Sequence, residues 1–460
     1  MPSDDRSFRG GEDAAAPVDA GLLSPVTART RGAASDDVVL RHLVEAEISL
    51  GRALVSVGAA PESILAALNA AADPDWLREI DIPRLAGDAV ADGNPMIPLI
   101  ALLRARVAGE DPDAAAWIHR GATSQDIIDS ALMTLGRDVA SRIDADLGET
   151  IATLALLAER HRADPAAART LTQHAVPTTI GARVAGWIRA LIDARSDLHV
   201  VANSLPAQLG GAAGTLAAFV EQFGPDTAAA LPALFADELG LAQPRAPWHT
   251  ERRPVTRLGD ALATVVAALG LVATDVATLA RTEIGEVSLG AGGGSSAMPH
   301  KQNPVDAVLI RSAALRAPGL AAQLHLAAGL AVDERPDGAW HAEWPVLVEL
   351  LQLTAGAASR GAALTGGLGF DAGRARANLA LTGGLIVTER LGIALRPLIG
   401  SARFDELVEA AGAGGDLREL VATLPEAADL DVDALLDPAE YLGLAVSLAD
   451  AAVREAREAE

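Results

Sequence analysis

The chain contains no cysteine and very few aromatic residues, and both absences restrict what it can be. Without cysteine, disulfide bonds, thiolate catalysis and cysteine-ligated zinc sites are excluded. Aromatic residues make up 3% of the 460 residues, whereas hydrophobic residues, dominated by alanine, leucine and valine, make up 50%. Small aliphatic side chains suit closely packed helices better than large sheets. The composition therefore favours packed helices.

Basic residues are scarce as well, since 37 of them face 61 acidic residues and the formal net charge is −24. Non-specific binding to nucleic acid requires a basic surface, so we expect no nucleic-acid partner. The long apolar stretches are rich in alanine and glycine and are interrupted by charges, so we expect no membrane partner. Residues 1–18 are polar and lack the apolar core of a secretion signal. We interpret them as a disordered tail and the protein as cytoplasmic.

Lysine is almost absent too, because Lys301 is the only one and every other basic residue is arginine. A lysine ammonium is a compact charge on a flexible stem, which a planar guanidinium does not replace. The retention of one lysine therefore favours a functional ammonium, the alternative being the chance survival of a surface residue. Its segment, 292–304 (GGGSSAMPHKQNP), does not match a phosphate loop, in which Lys and Ser or Thr directly follow the last glycine.

Helical periodicity is strong in four long segments, residues 36–57, 180–201, 258–284 and 305–330. Several of them are apolar on more than one face, so they should be buried on several sides. This pattern predicts a bundle of long helices, which could be shared between subunits. The distribution of proline and glycine divides the chain into three domains, residues 19–116, 117–358 and 359–460.

Three polar segments each precede a predicted helix: residues 119–126 (HRGATSQD), 169–179 (RTLTQHAVPTT) and 292–304. The unpaired N–H groups and partial positive charge of a helix N-terminus favour carboxylates, so the three could converge on a small polyanion. Each segment also has a structural interpretation. Thr123 and Asp126 match a capping box, His174 can be a structural histidine, and Asn303 before Pro304 matches an N-cap.

The third segment carries a resemblance to a known family. Residues 294–304 (GSSAMPHKQNP) are similar to the signature of the fumarase/aspartase superfamily, and the other two segments resemble its two further active-site regions. The likeness extends from about residue 20 to the end. It implies an all-α fold of three domains and a homotetramer with a twenty-helix core, in which three subunits build each active site. Residues 93–98 (GNPMIP) and 338–344 (GAWHAEW) most resemble the branch that cyclises 3-carboxy-cis,cis-muconate in protocatechuate degradation.

The resemblance also implies roles for individual residues and a polycarboxylate substrate converted without a cofactor or metal. Ser295 is the expected proton-transferring base, and Lys301 is the cation that stabilises its alkoxide. Preorganised charge of this kind is usually the largest catalytic contribution. His174 is the histidine nearest in sequence to the position where the resemblance places the general acid. The expected substrate-binding residues are Asn94, His119, Arg120, Thr123, Ser124, Gln173, Ser296, Met298 and Asn303, with a structural ion pair as the alternative role of Arg120.

One position departs from the pattern of the superfamily. Many relatives carry a general-acid histidine two residues before the glutamine that corresponds to Gln173, and here that position is Leu171. An amine or hydroxide leaving group needs protonation, whereas a carboxylate, whose conjugate acid has a pKa of about 4, leaves unaided. Leu171 therefore favours a cycloisomerase that forms a carboxymuconolactone.

Two alternatives remain open from the sequence. The first is a lyase that releases fumarate from a substituted succinate, for example nitrosuccinate, because nitrite is also a stable anion. The second is a non-catalytic helical oligomer that kept the fold and lost the chemistry. The presence of Ser295, Lys301 and Asn303 disfavours the second alternative.

Overall fold

α-Helices dominate the computed structural model, which describes residues 20–290, 293–295 and 298–459. The predicted tail, residues 1–18, lies outside this range. The helices in chain order are α1 (Asp36–Ser56), α2 (Leu65–Ala71), α3 (Pro74–Arg78), α4 (Ile82–Asp92), α5 (Met96–Glu110), α6 (Ser124–Arg160), α7 (Ile180–Ala202), α8 (Ala217–Phe223), α9 (Pro225–Leu239), α10 (Arg253–Leu279), α11 (Val305–Gly329), α12 (Gly338–Gly366), α13 (Ala372–Leu379), α14 (Thr388–Gly412), α15 (Leu417–Ala422), α16 (Val432–Leu436) and α17 (Ala445–Glu458). The all-α prediction is confirmed.

The strands are short and form three antiparallel pairs in the described chain. Strand β1 (Pro165–Thr170) pairs with β2 (Gln173–Thr179), β3 (Val287–Leu289) with β6 (Leu368–Phe370), and β4 (Gly293–Ser295) with β5 (Met298–Asn303). None of the pairs extends into a larger sheet. The strands therefore shape the loops between helices, and the helices supply the core.

Two compact units are present, each assembled from separate stretches of chain. The first comprises the described residues within 1–136, 204–252 and 330–340, and the second those within 137–203, 253–329 and 341–460. The division into three domains made from the sequence stays a prediction.

The four long helices predicted from periodicity are present as α1, α7, α10 and α11. Three of them match within a residue or two, but α10 begins five residues earlier and ends five residues earlier than predicted. At its end, Gly285 adopts a positive φ of 63° and the Glu286 N–H donates to the Leu279 carbonyl oxygen over 3.0 Å. This contact turns the chain out of the helix, although Thr282 and Glu283 are compatible with helical structure.

Helix α10 forms the centre of the second unit through close contacts at glycine. A Cβ atom at Gly259 would lie 2.5 Å from Leu324 Cδ1, and one at Gly270 would lie 2.7 Å from Ala314 Cβ, both on α11. Of the single helices in the described chain, α10 alone is long and apolar enough to cross a membrane. Its buried residues, including Leu262 and Val265, pack in the core of the unit. Each fully buried side chain of this size contributes about 1.5–3 kcal/mol.

Candidate active site

The first predicted site segment forms a tight turn that leads into α6. His119 and Gly121 have positive φ values of 59° and 82°, and α6 begins at Ser124. Glycine is required at 121, because a Cβ atom there would lie 2.8 Å from the Phe219 ring. Thr123 and Ser124 are half-buried, and among the described residues their hydroxyl groups have no hydrogen-bond partner. Both hydroxyls are therefore available to a ligand at the N-terminus of α6.

The next residues of the same segment point into the first unit. The buried carboxylate of Asp126 accepts four hydrogen bonds. Oδ1 accepts from the Gly210 N–H and from His249 Nε2 at 2.9 and 2.8 Å, and Oδ2 accepts from the N–H groups of Gly211 and Thr123, both at 3.0 Å. The predicted capping box is thus half formed, since the Asp126 N–H donates to the Thr123 carbonyl oxygen and not to its hydroxyl.

A second carboxylate, Asp129, lies one turn further along α6 and is also buried. It pairs with Arg252 at 2.7 and 2.9 Å and accepts from Trp340 Nε1 at 3.0 Å. Trp340 belongs to the segment 338–344 that carried the branch resemblance. Its indole is buried and hydrogen-bonded to Asp129 near the start of α6, so its observed role is to support the first site segment.

His119 and Arg120, both predicted to bind substrate, are held by different partners. The His119 ring nitrogen Nδ1 lies 2.9 Å from Glu47 Oε2, and the His119 main-chain N–H also donates to this buried carboxylate. A carboxylate accepts, so Nδ1 carries the proton and Nε2 is left for another partner. Arg120 donates to Gln222 Oε1 at 2.7 Å, and its guanidinium lies 4.5 Å from the centre of the Trp117 ring. These contacts replace the ion pair that was the alternative for Arg120.

Asn94 is engaged within its own loop. Its Oδ1 accepts from the Met96 N–H at 3.0 Å, and its Nδ2 donates to the Asp92 carbonyl oxygen at 3.3 Å. The side chain thereby caps the start of α5. Binding of a substrate carboxylate by Nδ2 would have to replace or share the longer of these two bonds.

The second predicted segment is a β-hairpin formed by β1 and β2 in the second unit. Its two-residue turn, Leu171 and Thr172, has φ values of 48° and 73°, as a type I′ turn requires. Such a conformation is unusual for a leucine, and the Leu171 side chain is 96% exposed. Gln173 directly follows the turn and is exposed, so both residues face away from the unit.

His174 is partly buried on the same hairpin, opposite Arg169 on the neighbouring strand. Burial lowers the pKa of His174 below its usual value, the charge of Arg169 lowers it further, and the charge of Glu286 partly offsets both. The lowered pKa therefore favours the neutral form of His174. A neutral imidazole can accept a proton or donate one N–H bond, but it does not serve as a cation.

The third predicted segment forms the β4–β5 hairpin, also in the second unit. Gly293 pairs with Asn303, Gly294 with Gln302, and Ser295 with Met298. Lys301 and Met298 have exposed side chains. Ser296 lies outside the described residues. Helix α11 begins at Val305, so Asn303 belongs to the strand and not to the N-cap that the sequence suggested.

The structure groups the predicted residues by unit. Asn94, His119, Arg120, Thr123 and Ser124 belong to the first unit, whereas Gln173, His174, Ser295, Met298, Lys301 and Asn303 belong to the second. Sequence reasoning missed the buried partners of these segments, which are Glu47, His249 and Glu286. They lie 72, 123 and 117 positions in sequence from the residues that they contact in these segments, His119, Asp126 and Arg169. Nothing in the local sequence identifies them.

Comparison with known proteins identifies the family of this chain. A family model described as lyase matches residues 26–319. The nitrosuccinate lyase of Streptomyces davaonensis is 47% identical, over 97% of this chain and 97% of that protein. The 3-carboxy-cis,cis-muconate cycloisomerase of Pseudomonas aeruginosa is 42% identical, over 94% of this chain and 95% of that protein.

The solved structures agree with this result. The 3-carboxy-cis,cis-muconate lactonizing enzyme from Pseudomonas putida superposes with a TM-score of 0.85 at 36% identity, covering 95% of this chain and 97% of that one. The helical fold and the match to the lyase family identify a lyase-type enzyme. The chain belongs to the lyase family of the fumarase/aspartase superfamily, as the signature segment indicated.

Proposed function

We propose that this enzyme is a cofactor-free cycloisomerase that interconverts 3-carboxy-cis,cis-muconate and a carboxymuconolactone in the cytoplasm. Leu171 is the observation that supports a leaving group that needs no protonation, and the similarity to cycloisomerases favours lactone formation among such reactions. Leu171 occupies the tip of the β1–β2 hairpin, at the position where many members of the superfamily have a general-acid histidine, and its side chain is exposed. The lactone opens by expelling a carboxylate, which needs no proton from the enzyme. The similarity to cycloisomerases at 42% and 36% identity supports this proposal.

A second candidate function is the elimination of nitrite from nitrosuccinate to give fumarate. The similarity to a nitrosuccinate lyase at 47% identity specifically favours it. Nitrite, like a carboxylate, is a stable anion, so Leu171 is compatible with both reactions. Nitrite elimination and lactone opening both need a base that removes a proton next to a substrate carboxylate, and in lactone formation the same group returns that proton to the carbon.

In either reaction, we assign the proton transfer to Ser295 and the stabilisation of its alkoxide to Lys301. Asn303 and Met298 of the same hairpin, together with Ser296, contact the substrate. The free hydroxyls of Thr123 and Ser124 and the exposed amide of Gln173 bind the remaining carboxylates, with His119, Arg120 and Asn94 as further donors. His174, in its neutral form, accepts a hydrogen bond or a proton. The ammonium of Lys301 is a local positive charge, which an anionic substrate requires on a chain with a net charge of −24.

We further propose that the enzyme is a homotetramer whose subunits share active sites. Large apolar side chains are exposed on the long helices of the second unit, including Leu156, Val200, Leu271, Leu315 and Leu326. Large contiguous apolar patches are typical of surfaces that bind a partner, and we propose that these side chains contribute to one. Light scattering should give four times the chain mass of 47.0 kDa. A stable monomer at micromolar concentration would contradict this proposal.

The assay that separates the two reactions uses both substrates in parallel. With 3-carboxy-cis,cis-muconate, a cycloisomerase removes the conjugated diene, so its ultraviolet absorbance falls and a lactone is detected by NMR. With nitrosuccinate, a lyase produces fumarate and nitrite in equal amounts. A Ser295→Ala preparation, purified in the same way, controls for contaminating enzymes.

Turnover of the muconate at least about 100-fold more efficient than that of nitrosuccinate, in kcat/KM, would support the first function. The reverse preference would establish the second. If a folded wild-type enzyme converts neither substrate, both proposals are wrong, and the non-catalytic oligomer becomes the better explanation.

A further inference from the structure

The buried side chain of Glu286 joins three elements of the second unit. Its carboxylate pairs with Arg169 of β1, lies 3.3 Å from Arg183 Nη1 of α7, and accepts from Asn378 Nδ2 of α13 at 2.8 Å. Only 1% of the Glu286 side chain is exposed. The two guanidinium groups are also largely buried, with 16% and 14% of their side chains exposed. A carboxylate so enclosed is held in one position by its donors.

The main chain at Glu286 is equally fixed. Its N–H donates to the Leu279 carbonyl oxygen at 3.0 Å, and its carbonyl oxygen accepts from the Asp371 N–H at 2.9 Å. Strand β3 begins at the next residue and pairs with β6, and the Gly290 N–H then donates to the Gly367 carbonyl oxygen at 2.7 Å. Three residues further on, Gly293 starts the β4–β5 hairpin that carries Ser295 and Lys301.

Arg169 connects Glu286 to the β1–β2 hairpin. The β1–β2 register shifts between Ala167 and Arg169, which is a β-bulge, and Arg183 Nη2 donates to the Ala167 carbonyl oxygen at 2.9 Å. A bulge redirects the side chain that follows it, and here Arg169 reaches Glu286. Arg169 pairs across the hairpin with His174, and Thr170 pairs with Gln173.

We propose that Glu286 is a positioning residue that holds the hairpin of Gln173 and His174 in a fixed relation to the strand leading to Ser295 and Lys301. The proposal rests on the proposed function, which assigns these four residues to substrate binding and proton transfer. Glu286 itself is not assigned a contact with substrate. Its effect is geometric, and a displacement of about 1 Å at a reacting group can cost about 100-fold in rate.

The electrostatics of His174 support the connection. The charges of both Arg169 and Glu286 act on the pKa of His174, in opposite directions. The charge of Asp275, which accepts from Trp187 Nε1 at 2.8 Å, also acts on the pKa of Arg183. The charge of Arg183 is therefore compensated by two carboxylates, Glu286 and Asp275, whereas Arg169 of the β1–β2 hairpin pairs with Glu286.

The test compares Glu286→Gln with Glu283→Gln. Glu283 is exposed and lies one turn earlier, so its substitution removes the same charge from the same segment without touching the cluster. In Glu286→Gln, one carboxylate oxygen becomes an amide nitrogen that faces an arginine donor. We expect kcat to fall at least about 100-fold while KM changes less than about threefold, because the reacting groups are misaligned but the donors for substrate remain. Glu283→Gln should match the wild type in both constants.

Hydrogen exchange supplies a readout that does not depend on the identity of the substrate. Exchange should accelerate in Glu286→Gln both in residues 165–179 and in residues 287–303, and remain unchanged in α1. If the wild type converts neither proposed substrate, the proposed function is wrong, but this exchange pattern still tests the connection. Unchanged exchange in either hairpin would overturn the connection. Faster exchange with kcat within threefold of the wild type would reduce Glu286 to a structural role and overturn the proposal.

Arg169→Lys covers the case in which Glu286→Gln does not fold. Lysine keeps a positive charge next to Glu286, so the buried carboxylate stays compensated. It loses the bidentate contact that the Arg169 guanidinium makes with the two carboxylate oxygens. We expect a loss of about tenfold in kcat, little change in KM, and faster exchange in residues 165–179. A folded Arg169→Lys enzyme with wild-type kcat would show that the pair has no influence on catalysis, and the proposal would be wrong.

Discussion

Replacement of the buried Asp126 by asparagine tests how the first site segment is held. Each carboxylate oxygen accepts two hydrogen bonds, Oδ1 from Gly210 and His249 and Oδ2 from Gly211 and Thr123. Asparagine has one oxygen, so in either orientation its amide group turns an NH₂ toward two donors. Two buried donors are then left without an acceptor.

The magnitude follows from this count. Hydrogen bonds to a charged group contribute about 1.5–3 kcal/mol each, so the loss of two gives a destabilisation of about 3–6 kcal/mol. Because Thr123 is one of the donors, the hydroxyls at the start of α6 should also lose their fixed position. Substrate affinity is therefore expected to fall together with stability.

Urea denaturation and hydrogen exchange measure the effect. In Asp126→Asn, exchange in residues 119–126 and 208–214 should rise at least about 100-fold, the equivalent of about 3 kcal/mol. Asp88→Asn is the control, because this exposed carboxylate lies 3.8 Å from Arg84 and should contribute less than about 0.5 kcal/mol. A change below about 1 kcal/mol in Asp126→Asn would refute the reasoning from the four donors.

Four further outcomes are expected. Ser295→Ala should lower kcat at least tenfold, about 1.4 kcal/mol in barrier, with an unchanged circular dichroism spectrum; a smaller loss would exclude Ser295 as the base. Lys301→Arg should lower kcat/KM strongly in a folded enzyme, because the guanidinium is bulkier and spreads its charge. Near-normal kinetics would mean that the only lysine is a surface residue retained by chance. Since burial and a neighbouring guanidinium lower the pKa of His174, stability linked to this group should be complete above about pH 6.5 and decline as the pH falls below that value, an effect that His174→Gln removes. Gly270→Ala should destabilise by about 1–3 kcal/mol in urea, since the new Cβ would lie 2.7 Å from another Cβ, whereas Gly87→Ala, with open space around it, should be neutral or stabilising.

The helices could be predicted from the sequence because their signal is local. Apolar residues at helical spacing identify α1, α7 and α11 within two residues. The end of α10 could not be predicted in this way. The chain leaves the helix where the Glu286 N–H bonds to Leu279 and its side chain enters a cluster with Arg169, which is more than 100 positions away in sequence. Contacts of that range leave no periodic pattern.

The site shows a similar division. The polar segments were identified from their residues and their position before helices, but the partners that hold them were not. Asn94 illustrates the difficulty, because its amide suits a substrate carboxylate equally well, yet the structure shows it bonded to Asp92 and Met96 of its own loop. Thr123 illustrates the reverse, because the sequence suggested a cap and the structure leaves its hydroxyl without a partner in the described chain.

Each site segment therefore has two kinds of residue, which a sequence motif does not distinguish. In the first segment, Thr123 is half-buried with a hydroxyl that has no partner among the described residues, whereas Asp126 is buried and holds the loop. In the second, Gln173 is exposed whereas Arg169 is bonded to a buried carboxylate. The buried residues preserve the fold and do not depend on which anion leaves. The choice between lactone formation and nitrite elimination should consequently lie with the exposed residues other than Leu171, because an apolar residue at that position suits both leaving groups equally.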